Sequence, residues 1–350
     1  MHDARSGRGR RAAAALLRIL VSALVIVPVS AWGTLALWFR LPAPEGVRAL
    51  GAALFAALGL ATIVALFLRR SLIALAGFAL VFGGLLVWWS TIAPPLDGDW
   101  APEVARQTTG TIDGDILTLS DLRDFDWRTD HDFTERWSKR SYDLSKLKTL
   151  DLFLAYWAGP EMAHVIMSFG FEDGDHIAWS VEVRRERKSE FSPVADAFKS
   201  HTLIYLATTE RDSVRLRSNI RGEDVRLYRL NTPPEQARAL LVEYALQATA
   251  LAAQPKWYNS ITANCATVVF KIVRAAGGTF PFDWRLVVNG FLPGYLYDHR
   301  VVVTTMPLAE LMARAAISEK ARAADQSPDF SQAIRVGVPS PWEKGRNSPP

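Results

Sequence analysis

The single cysteine of the chain, Cys265, occupies a position where a thiol can be activated. Asn264 ends the loop YNSITAN, and the following segment, CATVVFKIVRAA, has the apolar periodicity of a helix. A thiol in the first turn of a helix lies at the positive end of the helix dipole, beside N–H groups without intrahelical partners. This position lowers a thiol pKa and supplies donors for an oxyanion. A lone cysteine is more often a small buried core residue, so both interpretations stand.

A cysteine nucleophile needs a base, and histidine is the expected residue. His164 opens the run HVIMSFGF, where an imidazole has no packing role. Taken alone, it could equally be a core histidine with satisfied hydrogen bonds. The other five histidines lie in the N-terminal tail, a charged stretch, a turn or the edges of elements: His2, His131, His176, His201 and His299.

A third group must orient the imidazole, and two candidates lie on the next predicted strand. Asp173-Gly174 predicts a hairpin turn between His164–Phe171 and Ile177–Arg184. A two-residue turn places Glu182 on the face opposite His164, whereas a three-residue turn places it on the same face. Ser180 follows the same parity. We favour Glu182, because a carboxylate also stabilises an imidazolium; pairing with Arg184 is the alternative.

Other kinds of chemistry lack a motif. With one cysteine, no HExxH and no two histidines at i, i+4, the sequence predicts no metal site. Neither GxxxxGK[ST] nor GxGxxG occurs, so we expect no nucleotide and no other cofactor. A serine nucleophile is disfavoured because GxSxG is absent.

The first quarter of the chain has the composition of membrane-spanning helices. Three apolar runs, 12–39, 51–68 and 71–93, each approach or exceed the ~20 residues that a helix needs to cross a bilayer. Four tryptophans lie near the same ends of the first and third runs: Trp32, Trp38, Trp88 and Trp89. A cleavable signal peptide is the alternative for the first run alone. We predict three uncleaved transmembrane helices.

Charge distribution sets the orientation and excludes nucleic acid. Residues 1–93 hold nine arginines and two acidic residues and so carry a net charge of +7. The whole chain carries +4, which leaves −3 for residues 94–350. Because residues 94–350 are slightly acidic, they lack the positively charged surface that binds the phosphates of nucleic acid. Arginines at positions 5, 8, 10, 11, 69 and 70 predict cytoplasmic segments by the positive-inside rule. Residues 94–350 are then expected to lie outside the cytoplasmic membrane.

The predicted organisation has four parts: a membrane domain over 1–93, a linker over 94–124, an extracytoplasmic domain over 125–325 and a Pro-rich tail over 326–350. Thr202–Ala207 and Val225–Leu230 predict two further strands. Three helices are expected: one after a capping box at Thr232, one from Cys265 to Ala276, and one over Pro307–Ala324. The class is α+β, with an antiparallel sheet and a cysteine-bearing helix.

Three runs in order resemble the Lnb-type N-terminal periplasmic domain, a family that contains bacterial lipoprotein N-acyltransferases. They are HVIMSFGFEDGDHIAWSVEVRRE, Glu210-Arg211-Asp212 and WYNSITANCATVV, and the resemblance covers about residues 125–290. It implies a circularly permuted papain-like fold with Cys265 as nucleophile and His164 as base. Glu182 and Arg184 match the family's SxExR strand. The polar loop before the cysteine is matched by Tyr258, Asn259 and Asn264, which we expect, with Arg184, to contact substrate.

The resemblance implies an acyltransferase whose partners are a membrane phospholipid and a lipoprotein. It also implies a multi-pass protein of the bacterial inner membrane, with the C-terminal domain in the periplasm. An acyl chain would pass through a Cys265 thioester to the N-terminal amine of the lipoprotein. Two alternatives remain open. A papain-like amidase or peptidase of the cell envelope would use the same pair with water as acceptor. A non-catalytic envelope protein would keep Cys265 buried and unreactive.

Overall fold

A computed structural model describes residues 13, 15–68, 71–279 and 281–342. The chain forms two compact units. One comprises the described residues up to Pro94 together with Ser192–Ser200, and the other comprises Pro95–Phe191 and the described residues from His201 onward. The arginines of the N-terminal tail and Arg69-Arg70, from which the orientation was inferred, lie outside the described residues, and so does the end of the Pro-rich tail.

The first unit contains three helices long and apolar enough to cross a membrane: α1 (Ala15–Arg40), α2 (Glu45–Leu66) and α3 (Ser71–Thr91). Close approach of α1 and α2 depends on glycine, because a Cβ at Gly33 would collide with the ring of Phe55. Trp32 of α1 and Trp89 of α3 meet with ring centroids 5.1 Å apart. The described residues thus contain three helices with the length and composition needed to span a membrane.

Residues 192–200 belong to this first unit and include a short helix, α4 (Pro193–Asp196). The ring of Phe198 lies against Phe39 and Trp89. Lys199 donates from Nζ to the carbonyls of Trp89, at 2.7 Å, and Ile92, at 3.1 Å. A cation at the carboxyl end of a helix satisfies its unpaired carbonyl oxygens and its dipole.

The second unit is built on a mixed sheet. Its strands are β1 (Thr109–Asp113), β2 (Ile116–Arg123), β5 (Trp137–Asp143), β6 (Leu147–Tyr156), β7 (Ala163–Phe171), β8 (His176–Arg184), β9 (Thr202–Thr208) and β10 (Asp224–Arg229). The order is β1-β2-β9-β8-β7-β6-β10, with β5 on β2, and the β2–β9 contact is parallel while the other pairs are antiparallel. A separate pair joins β3 (Asp126–Trp127) and β4 (Phe133–Thr134).

Among the described residues of the second unit, seven α-helices accompany this sheet. They are α5 (Glu210–Arg215), α6 (Pro234–Ala253), α7 (Cys265–Ala275), α8 (Leu292–Asp298), α9 (Leu308–Ala315), α10 (Ser318–Ala323) and α11 (Phe330–Ala333). One face of the sheet, with Val165 and Trp179, packs on α6, α7 and α8. The other face, with Phe153 and Ile166, packs on α5, α10 and the segment after α11. The predicted α+β class, with three apolar helices before a sheet domain and a cysteine-bearing helix, is confirmed.

Residues 94–124, expected to be a linker, contribute β1 and β2 to the sheet. Leu117, Leu119 and Leu122 are fully buried there. The alternation of apolar and polar residues in ILTL is short. The strands that pair with β2, which are β5 and β9, come later in the chain.

The predicted helix over Pro307–Ala324 is interrupted. Ala316 has extended backbone angles and pairs with Arg226 of β10, and the N–H of Ile317 donates to the carbonyl of Val225. The N–H of Ile317 thus donates to the edge of the sheet and not to the preceding turn of helix, so α9 and α10 form in place of one helix.

The residues from 326 to 342, expected to lack a core, pack on the sheet. Phe330, Ile334 and Val338 are buried in the cluster of the second face. Their spacing of four residues is helical, but the segment is too rich in Pro, Ser and Gly for that spacing to stand out in the sequence.

Candidate active site

His164 is positioned by the β7–β8 hairpin. The N–H of Phe171 donates to the carbonyl of Asp175 at 2.9 Å, which leaves a three-residue loop. Gly174 has φ +88°, a conformation that suits the last position of such a loop. The register pairs Ile166 with Ser180, so Glu182 falls on the same face as His164.

The imidazole of His164 is held by two side chains of β8. Its Nε2 lies 2.6 Å from the hydroxyl of Ser180 and 3.0 Å from Oε1 of Glu182. The Ser180 hydroxyl also donates to Glu182 at 2.6 Å. Both candidates for the orienting group therefore contact the same nitrogen, and His164 is 9% exposed.

Arg217 completes this cluster from the turn of helix after α5. Its guanidinium donates from Nη2 to Oε1 of Glu182 at 2.9 Å and lies 3.6 Å from Glu223. Sequence reasoning missed Arg217, because nothing in SVRLRSN distinguishes a buried arginine from an exposed one before its partner is known.

Cys265 is the first residue of α7, and its side chain is partly exposed. Asn264 caps the helix: its Oδ1 accepts from the N–H of Ala266 at 3.1 Å and of Thr267 at 2.9 Å. The hydroxyl oxygen of Thr267 accepts from the N–H of Asn264 at 3.0 Å, which completes a capping box. The helix therefore begins at Cys265, as the sequence predicted.

The thiol lies against the beginning of β7. Its Sγ is 4.0 Å from the carbonyl oxygen of Ala163. The imidazole of His164 and the backbone of Val165 lie close enough to the thiol to lower its pKa. The structure thus places the cysteine and the histidine chosen from the sequence beside each other.

Asn289 locks this arrangement and was also missed. Its amide Oδ1 accepts from the N–H of Ala163 at 2.9 Å, its Nδ2 donates to the carbonyl of Ala163 at 2.6 Å, and Nδ2 is 3.9 Å from Sγ of Cys265. The side chain is 3% exposed. A signal was present, since an asparagine in the run LVVNGFL is a polar residue in apolar surroundings.

Electrostatics at the site raise the pKa of the imidazole and lower the pKa of the thiol. Burial and the charge of Arg217 lower the pKa of His164, but the Glu182 carboxylate and the hydrogen bond with Cys265 outweigh them and raise it to about 8. Burial raises the pKa of the Cys265 thiol, and the hydrogen bond and positive charge of His164 reverse this, so that the pKa is lowered. The pKa of Glu182 is held well below its usual range, against its burial, by His164 and Arg217.

The four residues expected to contact substrate have other partners. Arg184 donates to the carbonyls of Val104 at 3.1 Å and Ala105 at 2.6 Å and lies over the ring of Trp100. Asn259 accepts at Oδ1 from the N–H groups of Ile261 and Thr262, both at 3.0 Å. These contacts occupy both side chains with the chain's own backbone.

Tyr258 and Asn264 likewise support the loop before the cysteine. Tyr258 is 8% exposed and packs in the main core, with its N–H donating to the carbonyl of His201 at 3.0 Å. Asn264, besides capping α7, donates from Nδ2 to the carbonyl of Ser260 at 2.7 Å. In this structure the polar residues of the loop hold Cys265 in place.

The Glu210-Arg211-Asp212 motif lies in α5 and is structural. Glu210 accepts from the Ser168 hydroxyl at 2.5 Å, and Asp212 forms a two-bond pair with Arg123 at 2.9 Å. Arg211 donates to the carbonyl of Asp325 at 2.6 Å. Among the described residues, no group of three or more His, Cys, Asp or Glu side chains is arranged to hold a metal ion.

Comparison with known proteins identifies one region. Residues 133–290 match the family model described as the Lnb N-terminal periplasmic domain. Searches of curated proteins and of solved structures found no match. The matched region contains the site described above, from His164 on β7 to Asn289. Residues 133–290 are therefore similar to the Lnb N-terminal periplasmic domain, and three helices of membrane-spanning length precede them in the chain.

Proposed function

We propose that this protein is a membrane-anchored cysteine acyltransferase of the bacterial envelope. It would move an acyl chain from a membrane phospholipid to the N-terminal amine of a lipoprotein through a thioester on Cys265. The observation that carries the proposal is the position of the Cys265 thiol beside His164, whose imidazole is held by Glu182. This arrangement supplies a nucleophile, its base and the group that orients the base.

The first step forms the thioester. With Nε2 of His164 held by Glu182 and Ser180, Nδ1 is the nitrogen left to take the proton of the Cys265 thiol. The thiolate attacks the ester carbonyl of the lipid, an S–C bond forms, and the C–O bond to the glycerol oxygen breaks. The imidazolium returns the proton to that oxygen, so a lysolipid leaves.

The second step consumes the thioester. The amine of the acceptor attacks the thioester carbonyl, an N–C bond forms, and the C–S bond breaks. His164 accepts the proton that the amine loses, and the thiolate is regenerated as the partner of the imidazolium. No reagent beyond the lipid ester and the amine is needed.

Donors for the developing oxyanion lie beside the thiol. Two amides of the α7 start are already taken by Asn264, so we assign this role to the N–H of Cys265 itself and to Nδ2 of Asn289, 3.9 Å from Sγ. One backbone N–H and one side-chain amide would together hold the oxyanion, as we expect of a papain-like enzyme.

A lipid donor is supported by the surface next to Cys265. Met162 directly precedes β7, Ile261 lies in the loop before Cys265, and Phe291 follows Asn289 by two residues. Ile261 is 64% exposed, and Trp284, which meets the ring of Phe291 at 5.3 Å, is 57% exposed. Exposed apolar side chains grouped at a site favour a lipid over a polar cell-wall peptide.

The test follows the acyl group on the protein. We expect intact-mass spectrometry of the full chain, incubated with phospholipid vesicles, to show an acyl adduct that maps to Cys265. Cys265→Ala abolishes it, and His164→Ala slows its formation about 100-fold or more, since a positioned base contributes at least that factor. His131→Ala, which removes an exposed histidine, serves as the control and leaves the rate unchanged.

Addition of a diacylglyceryl peptide with a free N-terminal amine identifies the acceptor. N-acylated peptide with loss of the adduct supports the transferase, whereas release of free fatty acid alone makes the protein a hydrolase. An adduct that persists in Cys265→Ala, or a wild-type thiol that never carries an acyl group, would contradict the mechanism.

A further inference from the structure

An apolar cavity of about 300 Å³ lies in the second unit between α7 and the sheet. Ala266, Val269, Phe270, Val273 and Ala276 of α7 and its end form one wall, with the spacing of a single helical stripe. From Ala266 to Ala276 this stripe is about 15 Å long, at 1.5 Å per residue. Strands β6 and β7 form the floor, and α6 and α8 close the sides.

The residues that follow the catalytic pair in the chain line the inner end of the cavity. Val165, in the lining, directly follows His164. Ala266, also in the lining, directly follows Cys265, and Leu292 follows Asn289 by three residues. The other end opens at exposed residues, Gln236, Gly277 and Thr279.

The lining suits hydrocarbon and little else. None of the described lining residues is charged, and most are aliphatic. The hydroxyl of Tyr295, one of the few polar groups, is already bonded to the carbonyl of Pro281 at 2.9 Å. Protein interiors are close-packed, and a void with so few polar partners does not hold ordered water well. At ~30 Å³ for each non-hydrogen atom, the cavity has room for roughly ten chain carbons.

We propose that this cavity binds the hydrocarbon chain of the acyl group that Cys265 carries, an inference that rests on the proposed function. It makes the substrate a fatty acyl ester rather than a short one and gives the enzyme a preference by chain length. Burial of the chain along α7 keeps the thioester carbonyl at the N-terminus of that helix while the acceptor amine arrives.

The experiment compares two esters on the full chain in nanodiscs of ether-linked phosphatidylcholine, which contains no acyl ester of its own. The probes are 4-nitrophenyl palmitate and 4-nitrophenyl butyrate, and intact-mass spectrometry gives the rate of acylation at Cys265. Two variants narrow the cavity, Ala276→Trp and Val273→Phe, so a failure of one to fold does not decide the outcome. Ala275→Trp adds the same bulk at the neighbouring exposed position and is the matched control.

We expect palmitate to acylate the wild-type protein at least tenfold faster than butyrate. Each narrowing variant lowers the palmitate rate at least tenfold and leaves the butyrate rate within twofold, and Ala275→Trp leaves both rates within twofold. Equal rates for both esters, unchanged by narrowing, overturn the cavity assignment while the thioester mechanism stands. No adduct from either ester overturns the proposed function, and the cavity assignment falls with it.

Discussion

At the scale of single residues, the reactivity of Cys265 is set by a balance of charges around His164. The carboxylate of Glu182 lies 3.0 Å from the imidazole, and the guanidinium of Arg217 shares the same oxygen at 2.9 Å. The two charges act on His164 in opposite directions, the carboxylate raising its pKa and the guanidinium lowering it. The pKa that results, about 8, keeps the imidazolium present at neutral pH and able to stabilise the thiolate.

This balance predicts opposite pH shifts for two variants. The imidazolium, which attracts an anionic reagent to the thiolate, is lost as pH rises through the pKa of His164. The rate of alkylation by iodoacetate should therefore fall in a limb near pH 8. Glu182→Gln removes the charge that raises this pKa and moves the limb to lower pH by roughly one unit or more. Arg217→Gln removes a charge that lowers it and moves the limb to higher pH.

The control is Glu172→Gln, which neutralises an exposed carboxylate on the loop of the same hairpin and should leave the limb unmoved. The measurement is the alkylation rate of Cys265 against pH in the full chain. A shift of both site variants in one direction would show that the limb belongs to another group.

At the scale of elements, two short local structures place the pair. The three-residue loop of the β7–β8 hairpin puts His164 and Glu182 on one face. The capping box at Asn264 starts α7 at the cysteine, so that the thiol lies at the positive end of the helix. A short loop and one polar side chain thus determine where His164 and Cys265 lie.

Loss of the cap should therefore affect stability and reactivity together. Asn264→Ala is expected to lower the free energy of unfolding by about 1 kcal/mol and to slow alkylation of Cys265 several-fold, because the first turn of α7 frays. Thr209→Ala removes the cap of α5, where the hydroxyl accepts from the N–H of Asp212 at 3.2 Å. It should cost similar stability and leave the thiol rate unchanged. Equal slowing in both variants would contradict a specific role for the α7 cap.

At the scale of the whole molecule, a buried ion cluster ties the C-terminal segment to the sheet and to α5. Arg335 donates to Asp151 of β6 at 2.8 Å and to Glu210 at 2.6 Å, and both carboxylates are almost fully buried. Burial raises the pKa of Glu210, but Arg335 and the hydrogen bond from Ser168 lower it to about 2. This stabilisation is present above the ordinary pKa of glutamate and is lost as pH falls toward 2.

Removal of this cation should destabilise the second unit strongly. Arg335→Met leaves two buried carboxylates short of a partner, so we expect the free energy of unfolding to fall by about 3–5 kcal/mol. The measurement is urea unfolding of the full chain in micelles at neutral pH, followed by tryptophan fluorescence. Arg314→Met removes a cation from an exposed pair with Glu310 and should change little. A small effect of Arg335→Met would mean that the segment contributes little to stability.

The sequence by itself determined the features that depend on neighbouring residues. Length and apolar composition sufficed for the three long helices, because hydrocarbon admits few alternatives. The strands of the β7–β8 hairpin and the start of α7 at Cys265 followed from local pattern and capping. The contact of Cys265 with His164 could be anticipated from chemistry, since few other residues could act as nucleophile and base.

Only the tertiary structure decided which residues surround that pair. The register depended on one residue of loop length, and the partners of Glu182 and Ala163, Arg217 and Asn289, lie 35 and 126 residues away in the chain. The two strands before residue 124, the break at Ala316 and the buried tail depended in the same way on distant partners. A buried polar or apolar side chain is defined by what packs on it, and local pattern does not carry that information.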